Sequence, residues 1–150
     1  RNDTVFVARS RRGTVAAQVE QVRTALADTG ALTLFAEGTT SDGTAILPLK
    51  SALLSAIEPL PLGIAVQPVL IDYGADTAQI AWVGEEHGAV NFRRMLARRD
   101  PVMVTLCFLP VLAGPELTNR KTMAAAVQAA LTQELERRQG GCRVAETLTA

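Results

Sequence analysis

The residues best suited to chemistry in this chain are Glu37-Gly38-Thr39-Thr40-Ser41-Asp42-Gly43. Two carboxylates, three small hydroxyls and two glycines follow one another directly. The stretch lies between an apolar run and a segment with helical character. It therefore predicts a polar loop at a strand end, where backbone N–H groups and hydroxyls can converge on an anion. Arg9-Ser10-Arg11-Arg12-Gly13 follows another apolar run, residues 5–7, and predicts a second strand-end loop. Guanidinium groups grip phosphate through forked, bidentate hydrogen bonds. Together the two loops predict a site for a small phosphorylated polyol, with arginine neutralising the phosphate and Glu37 accepting hydrogen bonds from hydroxyls. Gly38 and Gly43 have the spacing of a P-loop. Thr44-Ala45 stand where that motif needs Lys and then Ser or Thr, which argues against a nucleoside triphosphatase.

Such loops need strands and helices to hold them. Residues 5–7 and 31–35 predict short buried strands. From Thr14 onward, Val15, Val19, Val22 and Leu26 recur on one helical face, with Gln18, Glu20, Gln21 and Arg23 opposite and Gly30 placed to end the helix. A helix is expected over 49–57, a buried strand over 66–71 and a further strand over 79–83. Residues 89–98 predict a short helix stopped before Pro101, with Phe92, Met95 and Leu96 as core contacts. Residues 102–108 predict a strand. Met123, Val127, Leu131 and Leu135 predict a helix over 119–138, capped by Thr118 and ended by Gly140-Gly141. Arg137 and Arg138 suit the negative end of its dipole. The alternation of strands and helices argues for an α/β domain, a central mostly β sheet flanked by helices, over residues 4–138. Residues 139–150 are expected to form a flexible tail.

The chain has 150 residues, 48% hydrophobic and 20% charged, which suits one domain with a real core. Aromatics make up 4%, so Ala, Val, Leu and Ile must fill that core. Fifteen basic and fifteen acidic residues cancel, so attraction to phosphate must be local and nucleic acid is not indicated. Cys107, Cys142 and His87 make neither a disulfide framework nor a zinc constellation. No apolar run reaches the roughly 18 residues of a membrane span. The most apolar stretch, 59–71, is broken by Pro61, Gly63, Gln67 and Pro68. Arg93, Arg94, Arg98 and Arg99 put four positive charges on one short helix and its end. They read either as attraction to anionic membrane lipid or as a solvated face.

A family resemblance rests on several ordered segments. Leu34-Phe35-Ala36-Glu37-Gly38-Thr39-Thr40-Ser41 resembles the F-P-E-G-T-R-S motif of the 1-acyl-sn-glycerol-3-phosphate acyltransferases, within the glycerolipid and lysophospholipid acyltransferases. Leu47-Pro48-Leu49-Lys50-Ser51 resembles the L-P-F-K-S-G phrase that follows it. Val5-Phe6-Val7-Ala8-Arg9 is similar to the upstream F-I-D-R motif, and Val66-Gln67-Pro68-Val69 to an apolar run carrying V-P-V. Ala36, Thr40 and Ala8 depart from the Pro, Arg and Asp of those motifs.

The resemblance implies transfer of an acyl group from acyl-CoA or acyl carrier protein to a lysophospholipid, in phospholipid biosynthesis, with no bound cofactor and no metal. Lysophosphatidate, giving phosphatidate, is the expected acceptor. Arg9 would hold the phosphate, and Glu37, Gly38 and Thr39 would shape the glycerol and phosphate pocket. Thr40 and Ser41 would be further donors, and Pro68 would have a structural role or line the acyl side. The family's general base is the His of an H-x-x-x-x-D motif upstream of F-I-D-R, its Asp orienting the imidazole. The only histidine is His87, with Phe92 five positions on, so this motif is absent and His87 is given no catalytic role. The chain starts without Met inside an apolar pattern, so the catalytic segment is expected upstream of Arg1 and the 150 residues alone are expected to be inactive. Work at the cytoplasmic face of the cell membrane, against an anionic surface, is the expected setting. A non-catalytic lipid- or phosphate-binding domain is the alternative from another class. Thr40 also keeps a lyso-ornithine lipid open as acceptor, since a zwitterionic headgroup needs less cationic neutralisation.

Overall fold

The computed structural model describes residues 15–84 and 86–147. The strand expected at 5–7 and the loop with Arg9, Arg11 and Arg12 lie outside them. Helix α1, Val15–Thr29, follows the expected periodicity, with Val22 and Leu26 buried. Gly30 ends it with φ +69°, its N–H donating to the Leu26 carbonyl at 2.8 Å.

Residues 31–35 are not a buried strand. They are irregular, and Phe35 is 71% exposed. An apolar run becomes a strand only where a partner completes the ladder, and no strand pairs with this one among the described residues. The helix expected at 49–57 is a 3₁₀ helix, Ser51–Ile57, which buries Leu54 and Ala56. Arg23 of α1 finishes it, donating through Nε to the Ala56 carbonyl at 2.9 Å and through Nη2 to that of Glu58 at 3.0 Å. Those donors satisfy carbonyls that a helix end leaves open.

The sheet is a two-stranded antiparallel ribbon among the described residues, not a large central sheet. Strand β1, Val69–Asp72, pairs with β2, Thr105–Phe108, setting Val69 opposite Phe108, Leu70 opposite Cys107, Ile71 opposite Leu106 and Asp72 opposite Thr105. Side chains alternate across a strand. Leu70 is therefore buried, while Val69, Ile71, Leu106 and Phe108 share the outer, exposed face. The strand expected over 79–83 is absent. Helix α2, Thr77–Ile80, begins there after a turn in which Asp72 Oδ1 accepts the Gly74 N–H at 2.8 Å.

Helix α3, Gly88–Leu96, forms as expected, but Phe92 and Leu96 are not core residues: they are 64% and 70% exposed. Helix α4, Arg120–Thr147, is longer than expected and runs through Gly140 and Gly141. Twenty residues of preceding helix, at about 1 kcal/mol lost per glycine, outweigh that local stop signal. Its cap is Asn119, whose Oδ1 accepts the N–H groups of Lys121 and Thr122 at 2.9 and 3.1 Å. The expected cap, Thr118, donates its hydroxyl to the Pro115 carbonyl instead. Met123 and Ala124 of α4 form the core with Leu54 and Leu112, flanked by Leu34, Leu49, Val66 and Leu117.

Candidate functional site

The loop singled out in the sequence is built by its own polar groups. After Phe35 the chain turns, Gly38 N–H reaching the Phe35 carbonyl at 3.2 Å, and Lys50 N–H closes the far end on the Ala36 carbonyl at 2.8 Å. Gly38 has φ +69°, a left-handed conformation that glycine adopts without a Cβ clash. Glu37 accepts the Leu47 N–H through Oε2 at 3.1 Å, spanning the loop from inside. Ser41 Oγ accepts the Gly43 N–H at 3.2 Å. Asp42 Oδ1 accepts both the Thr44 N–H at 3.0 Å and its hydroxyl at 2.8 Å. The Thr44 N–H, and after it the Thr44 hydroxyl, hold the Asp42 carboxyl below its ordinary pKa.

Helix α4 fixes the outer half of the loop. Gln128 accepts the Leu49 N–H at 2.9 Å and donates to the Ile46 carbonyl at 3.2 Å, while Gln139 donates to the Thr44 carbonyl at 3.1 Å. Neither glutamine carries a motif signal. Each lies on a helix whose apolar stripe predicts only core packing, so periodicity alone could not find them.

Thr39 and Thr40 form one wall of a cleft of about 500 Å³. The opposite wall comes from Trp82, Glu86, His87 and Gly88. Trp82 is fixed by donating its indole N–H to the Glu86 carbonyl at 2.7 Å, and its ring lies so close to Gly88 that a Cβ there would sit 3.1 Å from it. Glu86 is held by Arg94 in a forked pair at 2.7 and 3.1 Å. This wall was not expected from sequence. Its one hint was the juxtaposition of Glu86 and His87 just ahead of a helix, which sequence reads as an ordinary loop.

The expected site residues thus separate into three groups. Thr39 and Thr40 face the cleft. Glu37, Gly38 and Ser41 shape the loop behind it. Arg9 lies outside the described residues. The aliphatic stem of Lys50 runs beside Gly38, with Cγ 3.5 Å from where a Cβ would be, so this loop has a cation that sequence left without a role. His87, given no role from sequence, lines the cleft as the residue before α3. Among the described residues no carboxylate hydrogen-bonds its ring, so none of them orients it as a general base. Pro68 is buried beside β1, with its carbonyl accepting the Leu109 N–H at 3.0 Å, and this fits a structural role. Among the described residues no group of three His, Cys, Asp or Glu side chains is placed to hold a metal ion, and no helix is long and apolar enough to cross a membrane.

Residues 1–72 match the family model described as Acyltransferase. The chain is 47% identical over 140 residues to a lyso-ornithine lipid O-acyltransferase of Brucella abortus, covering 83% of this chain and 52% of that protein. It is 29% identical over 141 residues to a protein of the same description from Rhodobacter capsulatus, covering 90% of this chain and 51% of the other. A third, from Rhizobium meliloti, is 41% identical over 75 residues, 47% of this chain and 26% of that protein. The chain spans about half the length of the first two relatives. No solved structure matches it.

Proposed function

Because this chain belongs to the acyltransferase family, we propose that it forms the acceptor-binding part of an O-acyltransferase whose acceptor is a lyso-ornithine lipid. The reaction moves an acyl group from a thioester, acyl-CoA or acyl carrier protein, to a free hydroxyl. The hydroxyl gives its proton to a base, its oxygen attacks the thioester carbonyl, the C–S bond breaks, and the thiolate takes up the proton. The H-x-x-x-x-D base is not among these residues, so the chain's contribution is to bind and orient the acceptor.

The observation that carries the choice of acceptor is Thr40 in the cleft wall, where E-G-T-R-S places arginine. A phosphate monoester calls for a guanidinium at such a place. An ornithine headgroup brings its own ammonium beside its carboxylate, and a wall of hydroxyls, indole and a carboxylate suits it. The relatives' descriptions support the same acceptor. Lysophosphatidate is the second reading, favoured by Lys50 beside Gly38. A lipid acceptor also suits work at a membrane surface, which we propose is the cytoplasmic face.

The test is acyl transfer by the full gene product, with acyl-CoA and acyl carrier protein as donors and each lyso-lipid as acceptor. Diacyl ornithine lipid as the main product supports the proposal. Phosphatidate as the main product replaces it with the second reading. Binding of either lipid without transfer from either donor would make this a non-catalytic lipid-binding domain.

A further inference from the structure

We propose that the exposed face of α3 docks this chain on an anionic lipid bilayer. The inference rests on the reading that the acceptor is a lipid, and deepens it by naming the surface that meets the membrane. Phe92 and Leu96 are 64% and 70% exposed and stand four residues apart, so they share one helical face. The other face of α3 is tied down: Arg94 pairs with Glu86 and donates to the Ala81 carbonyl at 2.7 Å, and Asn91 reaches the same carbonyl at 3.4 Å. Exposure of the apolar face therefore follows from how the helix is anchored.

The four arginines divide in the same way. Arg94 and Arg98 are neutralised by Glu86 and Asp76, each at 2.7 Å, and Arg98 is drawn inward. Arg93 and Arg99 are exposed and flank the apolar face, with Asp100 as the exposed acidic residue at that end. Met103, a few residues beyond the helix, is also 72% exposed. Exposed aromatic and aliphatic side chains with arginines at their margin match a bilayer interface. The rings and methyls enter the acyl boundary, while guanidiniums reach the negative headgroups. Helix α3 starts at the cleft, through His87 and Gly88. Docked in this way, it sets the cleft beside the surface from which a lyso-lipid arrives.

The test is co-sedimentation of the 150-residue chain with vesicles of phosphatidylglycerol or phosphatidylcholine. Binding to phosphatidylglycerol is expected. Phe92→Ser with Leu96→Ser should lower partitioning at least about ten-fold. Arg93→Gln and Arg99→Gln should each lower it about five-fold on phosphatidylglycerol and leave phosphatidylcholine unaffected. All four residues are exposed, and circular dichroism checks that the variants fold. Quenching of Trp82, the single tryptophan, by brominated lipid gives an independent readout at the start of α3. The proposal is overturned if the wild-type chain sediments with neither vesicle. Equal binding by the Phe92/Leu96 variant also overturns it, as does a result in which those substitutions only dissolve a self-associated dimer. Vesicle binding without acyl transfer by the full gene product would sink the enzyme reading and leave this one standing. Transfer without α3-dependent binding would do the reverse.

Discussion

Glu37 accepts the Leu47 N–H at 3.1 Å, so one oxygen of the carboxylate expected from the motif to meet the acceptor is fixed inside its own loop. The residue that most marks the family motif therefore acts first on the backbone. It sets where Thr39 and Thr40 stand, and these two face the cleft. A substitution at Glu37 changes the shape of the site before it changes any contact with a ligand.

Glu37→Ala should destabilise the fold by about 1.5–3 kcal/mol, the range for a hydrogen bond to a charged group. Glu37→Gln keeps an acceptor and should cost less. Urea unfolding of both variants checks this, and equal losses would show that the Leu47 bond contributes nothing.

Gln128→Leu removes two of the three hydrogen bonds that α4 makes to the loop, leaving that of Gln139. A loss of about 1–3 kcal/mol is expected, with faster hydrogen exchange at the Leu49 amide than elsewhere in the loop. Unchanged exchange there would mean that Gln128 does not hold the loop.

Gly43 and Gly63 have φ +76° and +79°. An alanine at either is disfavoured by about 1–2 kcal/mol from the left-handed backbone alone. A Cβ at Gly43 also collides with the Thr77 methyl, while Gly63 has open space around it. Thr77 cannot turn away freely, because its hydroxyl donates to the Gly74 carbonyl at 2.8 Å. Gly43→Ala should therefore lower the melting temperature more than Gly63→Ala.

The Arg137 hydrogen bond, and then that of Arg138, lower the Glu134 pKa to about 2 from 4.5. A depressed folded-state pKa means that the unfolded chain takes up the proton first as pH falls. The stabilisation is complete above about 4.5 and is lost toward about 2. Unfolding midpoints measured across that window should fall less steeply in Glu134→Gln than in wild type.

Thr40→Arg restores the guanidinium of E-G-T-R-S in the cleft wall. A charged hydrogen bond to phosphate should move the ratio of kcat/KM values toward lysophosphatidate by about ten-fold or more in the full gene product. No shift would place the acceptor headgroup away from Thr40.

In the sequence, short motifs carried the functional reading. The order of the motifs led to the family, and the Glu37 loop lies beside the cleft. The opposite wall had no such signal, because Trp82 and His87 meet Thr39 and Thr40 only through the fold. Among the elements, α1 and α4 were legible because an apolar stripe of helical period repeats over several turns. Residues 31–35 and 79–83 are too short for their composition to separate strand from helix or loop, and pairing decided them. Phe92 and Leu96 misled for another reason. Apolar side chains at helical spacing predict a buried face only if something covers it, and at α3 the polar contacts of Asn91 and Arg94 turn that face outward.

Arg138 of α4 donates to Asp72 of β1 at 2.8 Å and to Glu134 at 3.1 Å. In a strand, a slip of one residue turns every side chain to the opposite face. Such a slip in β1 would carry Asp72 to the outer side, strand Arg138, and push Leu70 out of the interior. The ion pair thus acts as a proofreading contact for the ribbon. Leu70 favours burial of one face in any register that hides it, whereas the Asp72 charge accepts only the register in which it meets α4.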